Sequence, residues 1–137
     1  MLQYFSIRDG EELESLDKSR PFKCVVLVSQ DVSRTWQNKV SERLVADGCL
    51  YMMAWGNNCS SWDDSVDTAN IEQFVPRDVP EENFVMTTWH DDETLKDVLH
   101  FAKFSAIHPT IELTNVVVLD IGKPGRKELI QAIFDQV

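Results

Sequence analysis

Two stretches of this chain are continuously apolar and largely β-branched, with no polar residue at alternate positions: Cys24-Val25-Val26-Leu27-Val28 and Val116-Val117-Val118-Leu119. A strand with one wet face alternates apolar and polar side chains, so runs of this kind predict strands covered on both faces. Residues 23–29 and 115–121 are therefore read as central strands. Residues 49–55 and 84–88 form two further strand-like runs, and residues 4–7 a short edge strand. Helices must supply the cover, because parallel neighbours need long crossover connections and those connections lie on the faces of the sheet.

The segments between the runs carry helical spacing. Trp36, Val40 and Leu44 lie four apart, after candidate caps at Asp31 or Ser33 and before Gly48. Ser61 with Asp64 three residues on resembles a capping box, and Val66, Ala69 or Asn70, and Phe74 would form an inner stripe. Asp91-Asp92-Glu93 places negative charge where a helix dipole favours it, ahead of the apolar positions Leu95, Val98, Leu99, Ala102 and Ala106. Pro124 suits the first turn of a last helix that turns Leu129, Ile130, Ile133 and Phe134 inward. A weaker helix is expected over residues 11–18. The resulting expectation is one α/β domain over residues 1–137: a three-layer sandwich with a short, mainly parallel sheet, flavodoxin-like or Rossmann-like, and helices on both faces.

Charge narrows the partners. With 23 acidic against 13 basic residues the formal net charge is -10, which repels phosphate backbones and anionic membrane surfaces, so neither nucleic acid nor membrane is expected as a partner. The acid is concentrated: residues 63–97 hold eleven Asp or Glu against Arg77 and Lys96 alone. The three cysteines, Cys24, Cys49 and Cys59, show no Cys-x-x-Cys spacing and read as free thiols. The start Met1-Leu2-Gln3-Tyr4-Phe5 lacks the basic and apolar regions of a secretory leader, which favours the cytoplasm.

In open α/β sheets ligands bind outside the carboxyl ends of the strands. Here those ends hold Ser29-Gln30-Asp31, then Trp55 through Asp64, then Thr87-Thr88-Trp89-His90-Asp91-Asp92, and finally Gly122-Lys123-Pro124-Gly125-Arg126. The segments from Trp55 to Asp64 and from Thr87 to Glu93 resemble an uncharacterised family of small bacterial proteins. That likeness covers most of the chain and implies no activity.

Two functional expectations follow. The first is an acidic regulatory, accessory or immunity-like protein that binds a more basic protein through Trp55, Asn57, Trp62, Asp63, Asp64, Thr88, Trp89, His90 and Asp91, because aromatic anchors supply affinity and carboxylates select a basic partner. The second is a small hydrolase or transferase at the same rim. One version uses Cys59 as a nucleophile at a helix start with His90 as its base. Another uses Asp31, Asp63, Asp64, His90 or Asp91 to hold a cation that activates water, although adjacent carboxylates at helix starts equally serve capping, and no metal site is assigned. A small-ligand or nucleotide-binding domain is the remaining alternative, with Gly56, Ser60, Ser61 and Thr88 presenting amides or hydroxyls at helix starts; Gly-x-Gly-x-x-Gly and Walker patterns are absent, and no cofactor is expected. Lys123 and Arg126 could at most neutralise a small anion or nucleotide.

Overall fold

A computed structural model describes residues 2–137. Five parallel strands form one sheet: β1 (Leu2–Ile7), β2 (Phe22–Val28), β3 (Cys49–Gly56), β4 (Met86–His90) and β5 (Asn115–Ile121), side by side in the order β1-β5-β2-β3-β4. Four α-helices accompany them: α1 (Arg34–Ala46), α2 (Cys59–Glu72), α3 (Leu95–Phe104) and α4 (Lys127–Gln136). The α/β three-layer sandwich is therefore as expected. Strands β4-β3-β2-β5 reproduce the Rossmann order 3-2-1-4, with β1 added parallel at the outer edge of β5.

The all-apolar runs occupy the positions their composition demands. Every residue of β2 is buried, as is every residue of β5 after Asn115. One face of the sheet carries Cys24, Val26, Val28, Met52, Ala54, Val117 and Leu119 against Trp36, Val40 and Leu44 of α1 and Trp62 and Val66 of α2. The other carries Val25, Leu27, Tyr51, Met53, Val116 and Val118 against Val98, Leu99 and Ala102 of α3 and Ile130 of α4. Between α1 and α2 the contact is polar and saturated: Gln37 donates to Ser61 and Ser65 at 3.1 and 3.3 Å, and the Ser41 and Ser65 hydroxyls lie 2.8 Å apart. Small hydroxylic side chains let two helices approach closely while leaving no buried polar atom unsatisfied.

Local signals held unevenly. Ser33 caps α1 by accepting from the Trp36 amide, and Gly48, at φ +104, follows its end. The expected helix over residues 11–18 is replaced by a single 3₁₀ turn at Asp17–Ser19. There the Leu16 amide is held by the Asp47 carboxylate, while Leu13 and Leu16 plug the α1 side of the core. Ser61 is inside α2, not its cap; the helix starts at Cys59 after a left-handed Asn58. Asp91 to Glu93 form a turn before α3, whose capping box is Thr94 with Asp97. Likewise Pro124 precedes α4, which begins at Lys127.

Candidate functional site

The sheet reverses its winding between β2 and β5, so the crevice at the carboxyl ends of these two strands is the topological switch point. It is filled by the protein's own charges. Asp120, fully buried near the end of β5, accepts from Arg126 Nη2 at 2.6 Å and Nε at 3.0 Å, and from the Tyr4 hydroxyl. Arg126 also reaches Ser29 Oγ at 3.4 Å. Burial, followed by the Asp120 carboxylate, pushes the Tyr4 hydroxyl up to about 12, while hydrogen bonding to Asp120 raises Arg126. Arg126, read from sequence as a group for an external anion, is thus committed to an internal one. An Asp inside the run Val-Val-Val-Leu-Asp-Ile is the signal that could have found this pair, since a carboxylate in a doubly buried strand needs a cation.

A second constellation lies at the carboxyl ends of β3 and β4. Strands β3 and β4 are direct neighbours, with Ala54 opposite Trp89 and Trp55 opposite His90. Trp55, Trp89 and His90 belong to the strands and not to the turns after them. Alternation along β4 divides its residues between the two faces. Thr87 faces α2, donating its hydroxyl to Asp67 at 3.0 Å, and Trp89 shares that face. Thr88 and His90 face α3, where the imidazole packs edge-on against Phe101 at 4.6 Å between centroids.

On the α3 face a hydroxyl, an imidazole and a carboxylate stand in line. Thr88 Oγ1 is 2.9 Å from His90 Nε2, and His90 Nδ1 is 3.1 Å from the Glu93 carboxylate. A carboxylate only accepts, so Nδ1 donates to Glu93, and in the neutral imidazole Nε2 is then the acceptor that faces the Thr88 hydroxyl. On the neighbouring β3, burial raises the Tyr51 hydroxyl and the Thr88 hydroxyl opposes that shift. Trp55 Nε1 donates to the Glu93 carbonyl at 2.7 Å, which pins the turn that carries the carboxylate. Glu93 was read from sequence only as a helix-start charge; its role depends on the turn that folds it back over β4.

The α2 face differs. Cys59, the first residue of α2, is buried in the α1/α2 layer, whereas the His90 ring packs against Phe101 of α3 on the other face of the sheet. Burial, then the Asp91 charge, pushes the Cys59 thiol up despite nearby amides, the opposite of the shift expected at a helix start. Trp62, expected as an interface anchor, is fully buried in the core. Asn57 is exposed, its amide donating to Val28 at 2.8 Å. Asp63 and Asp64 occupy the first half of α2. They and burial raise the Asp67 carboxyl, burial contributing most, while the Thr87 hydroxyl opposes. The candidate cation ligands Asp31, Asp63, Asp64, His90 and Asp91 do not converge: among the described residues no three His, Cys, Asp or Glu side chains gather in a cation-binding group.

Trp89 is 51% exposed on β4, the last strand of the sheet, whose outer edge is unpaired. No described helix is long and apolar enough to cross a membrane. Among protein families, the model of a domain of unknown function (DUF7684) matches residues 2–137. No curated protein and no solved structure matches the chain.

Proposed function

The chain belongs to the DUF7684 family of unknown function, and from that premise we propose that it is a regulatory or accessory interaction domain that binds a basic segment of another protein along the outer edge of β4. One observation carries this reading: a half-exposed Trp89 on an open edge strand that ends in an acidic turn. Asp67 of α2 holds Thr87 on the same face of β4, and Asp91 and Asp92 lie exposed in the turn that follows the strand. Edge strands are normally blunted by lysine, proline or a bulge. The sequence Met-Thr-Thr-Trp-His of β4 contains neither residue, and its pairing with β3 runs without a register shift. Repulsion between like-charged copies, each at -10, opposes self-pairing at this edge, whereas a lysine- or arginine-rich strand meets complementary charge.

A centrally placed Trp contributes on the order of 2 kcal/mol or more to an interface. The test is calorimetric titration with an acetylated peptide of alternating Lys and Val, against the protein and its Trp89→Ala variant. Binding that weakens with salt and drops at least roughly tenfold in the variant supports the reading. Absence of binding at low ionic strength, or affinity indifferent to both salt and Trp89, refutes it.

The row Thr88, His90, Glu93 favours a second reading, a small acyl-transfer hydrolase in which Thr88 takes the place first given to Cys59. Thr88 Oγ would add to an ester carbonyl as its proton passes to His90 Nε2, with Glu93 holding the Nδ1 proton. Collapse of the tetrahedral adduct expels the alcohol, which takes the proton from Nε2. Water then repeats the sequence on the acyl-threonine, releasing the acid and restoring the hydroxyl. Hydrolysis of nitrophenyl esters that is lost in Thr88→Ala and kept in Thr88→Ser supports this reading; equal rates in all three proteins refute it.

A further inference from the structure

At the amino end of the sheet, far from the carboxyl rim, a groove of about 510 Å³ opens between the end of α3 and the segment that leads to β5. Its lining is mixed, with an apolar part made by Phe104, Ile107, Ile111 and Leu113, of which Phe104 and Ile107 are largely in solvent. Lys23 also lines it. This residue, the second of β2, is only 7% exposed. Its ammonium makes one hydrogen bond, 3.3 Å to the Ala106 carbonyl, and among the described residues no Asp or Glu pairs with it. An ammonium has three donors, so Lys23 can serve further acceptors in the groove it lines.

Buried charges in folded proteins are paired, and the Lys23 ammonium, at the mouth of the groove, has a neutral carbonyl as its protein partner. Burial alone pulls the Lys23 amine down, with no charged neighbour to hold it up. The other basic groups of the groove are already engaged. Lys103 donates to the Phe134 and Val137 carbonyls at 2.9 and 3.1 Å. His108 Nε2 donates to the Phe84 carbonyl at 2.7 Å, and its Nδ1 accepts from the Thr110 and Ile111 amides at 3.2 and 3.1 Å. The unmet demand is therefore for one anionic acceptor next to an apolar wall. Glu112 at the rim, in a chain already at -10, opposes a multiply charged phosphate or nucleotide more strongly than a single carboxylate.

We propose that this groove binds a small organic monocarboxylate, its carboxylate on Lys23 Nζ and its aliphatic or aromatic body against Phe104, Ile107, Ile111 and Leu113. Apolar lining with one well-placed charge is the ordinary make-up of a small-molecule site. The site is independent of the β4 edge, and its test does not involve that surface.

The probe is sodium octanoate, with octanol and octylamine as uncharged and cationic controls, followed by calorimetry and by amide chemical shifts of the intact chain. Saturable octanoate binding is expected, with shifts at residues 104–113 and affinity at least roughly tenfold above that of either control. Lys23→Met should lose this preference for the acid and Lys23→Arg keep it. Ile107→Asp, a change at an exposed position that leaves the core intact, should weaken octanoate at least roughly tenfold through repulsion. Octanoate failing to saturate by about 10 mM, octanol binding equally well, or shifts lying outside the groove would overturn the proposal.

Discussion

Replacing Arg126 by Met is the sharpest test of how the carboxyl rim is held together. The Asp120 carboxylate is fully buried and accepts two bonds from the guanidinium, at 2.6 and 3.0 Å, and one from Tyr4. Met keeps much of the volume but removes the cation, so the carboxylate is left with a single hydroxyl. Removing one partner of a buried ion pair costs about 3–5 kcal/mol, because the remaining charge stays dehydrated and uncompensated. Screening discounts this little, since the Arg126 side chain is itself only 16% exposed. Against a total stability of roughly 5–15 kcal/mol for a domain, such a loss is severe. Removing both charges tells a different story: Arg126→Met combined with Asp120→Leu should recover to within about 2 kcal/mol of the parent. Urea unfolding of the four proteins completes the double-mutant cycle. A loss below about 1 kcal/mol in Arg126→Met, or additive effects in the double variant, would refute the claim that this pair is electrostatically isolated from water.

Three further outcomes follow from particular contacts. Gly56 sits at φ +103, and a Cβ there would lie 2.1 Å from the Val28 carbonyl oxygen, so Gly56→Ala should destabilise by about 3 kcal/mol or more in the same unfolding assay; a change under about 1 kcal/mol would show that the β2 and β3 ends part easily. His108→Ala strands the Thr110 and Ile111 amides and the Phe84 carbonyl, which predicts a loss of about 2–4 kcal/mol and faster hydrogen exchange at residues 110 and 111; unchanged exchange there would contradict it. Tyr4 is held protonated up to about 12, above the ordinary tyrosine value near 10, so its contribution to stability is whole below pH of about 10 and is lost as the pH rises towards 12. Phenolate absorbance of the protein minus that of Tyr4→Phe should show the late ionisation, and a step near pH of about 10 in that difference would refute it.

Much of the candidate site was readable residue by residue but not as an arrangement. Trp89, Thr88 and His90 were named from a turn-like segment, yet two of them face one helix layer and one the other, because β4 extends two residues beyond the apolar run that announced it. Cys59 and His90 are close along the rim and still do not form a dyad, since the sheet lies between thiol and ring. Trp62 was unreadable for another reason: an aromatic near a helix start has the same local pattern whether it faces solvent or core, and only the position of the neighbouring helix α1 buries it. Glu93 and Lys23 left no local sign of the partners they meet.

The continuous apolar runs and the 3.6-residue spacing between them were enough to dictate a parallel sheet covered by helices on both faces, because burial on two sides and helical periodicity are properties of adjacent residues. Strand order, the filling of the switch point by Asp120 and Arg126, the Thr88–His90–Glu93 row and the exposure of Trp89 were decided only in three dimensions. Each depends on residues brought together from separate elements or by a folded-back turn, or on which strand lies at the edge. Hydrophobic patterning along the chain encodes which surface is dry, but not which dry surfaces meet.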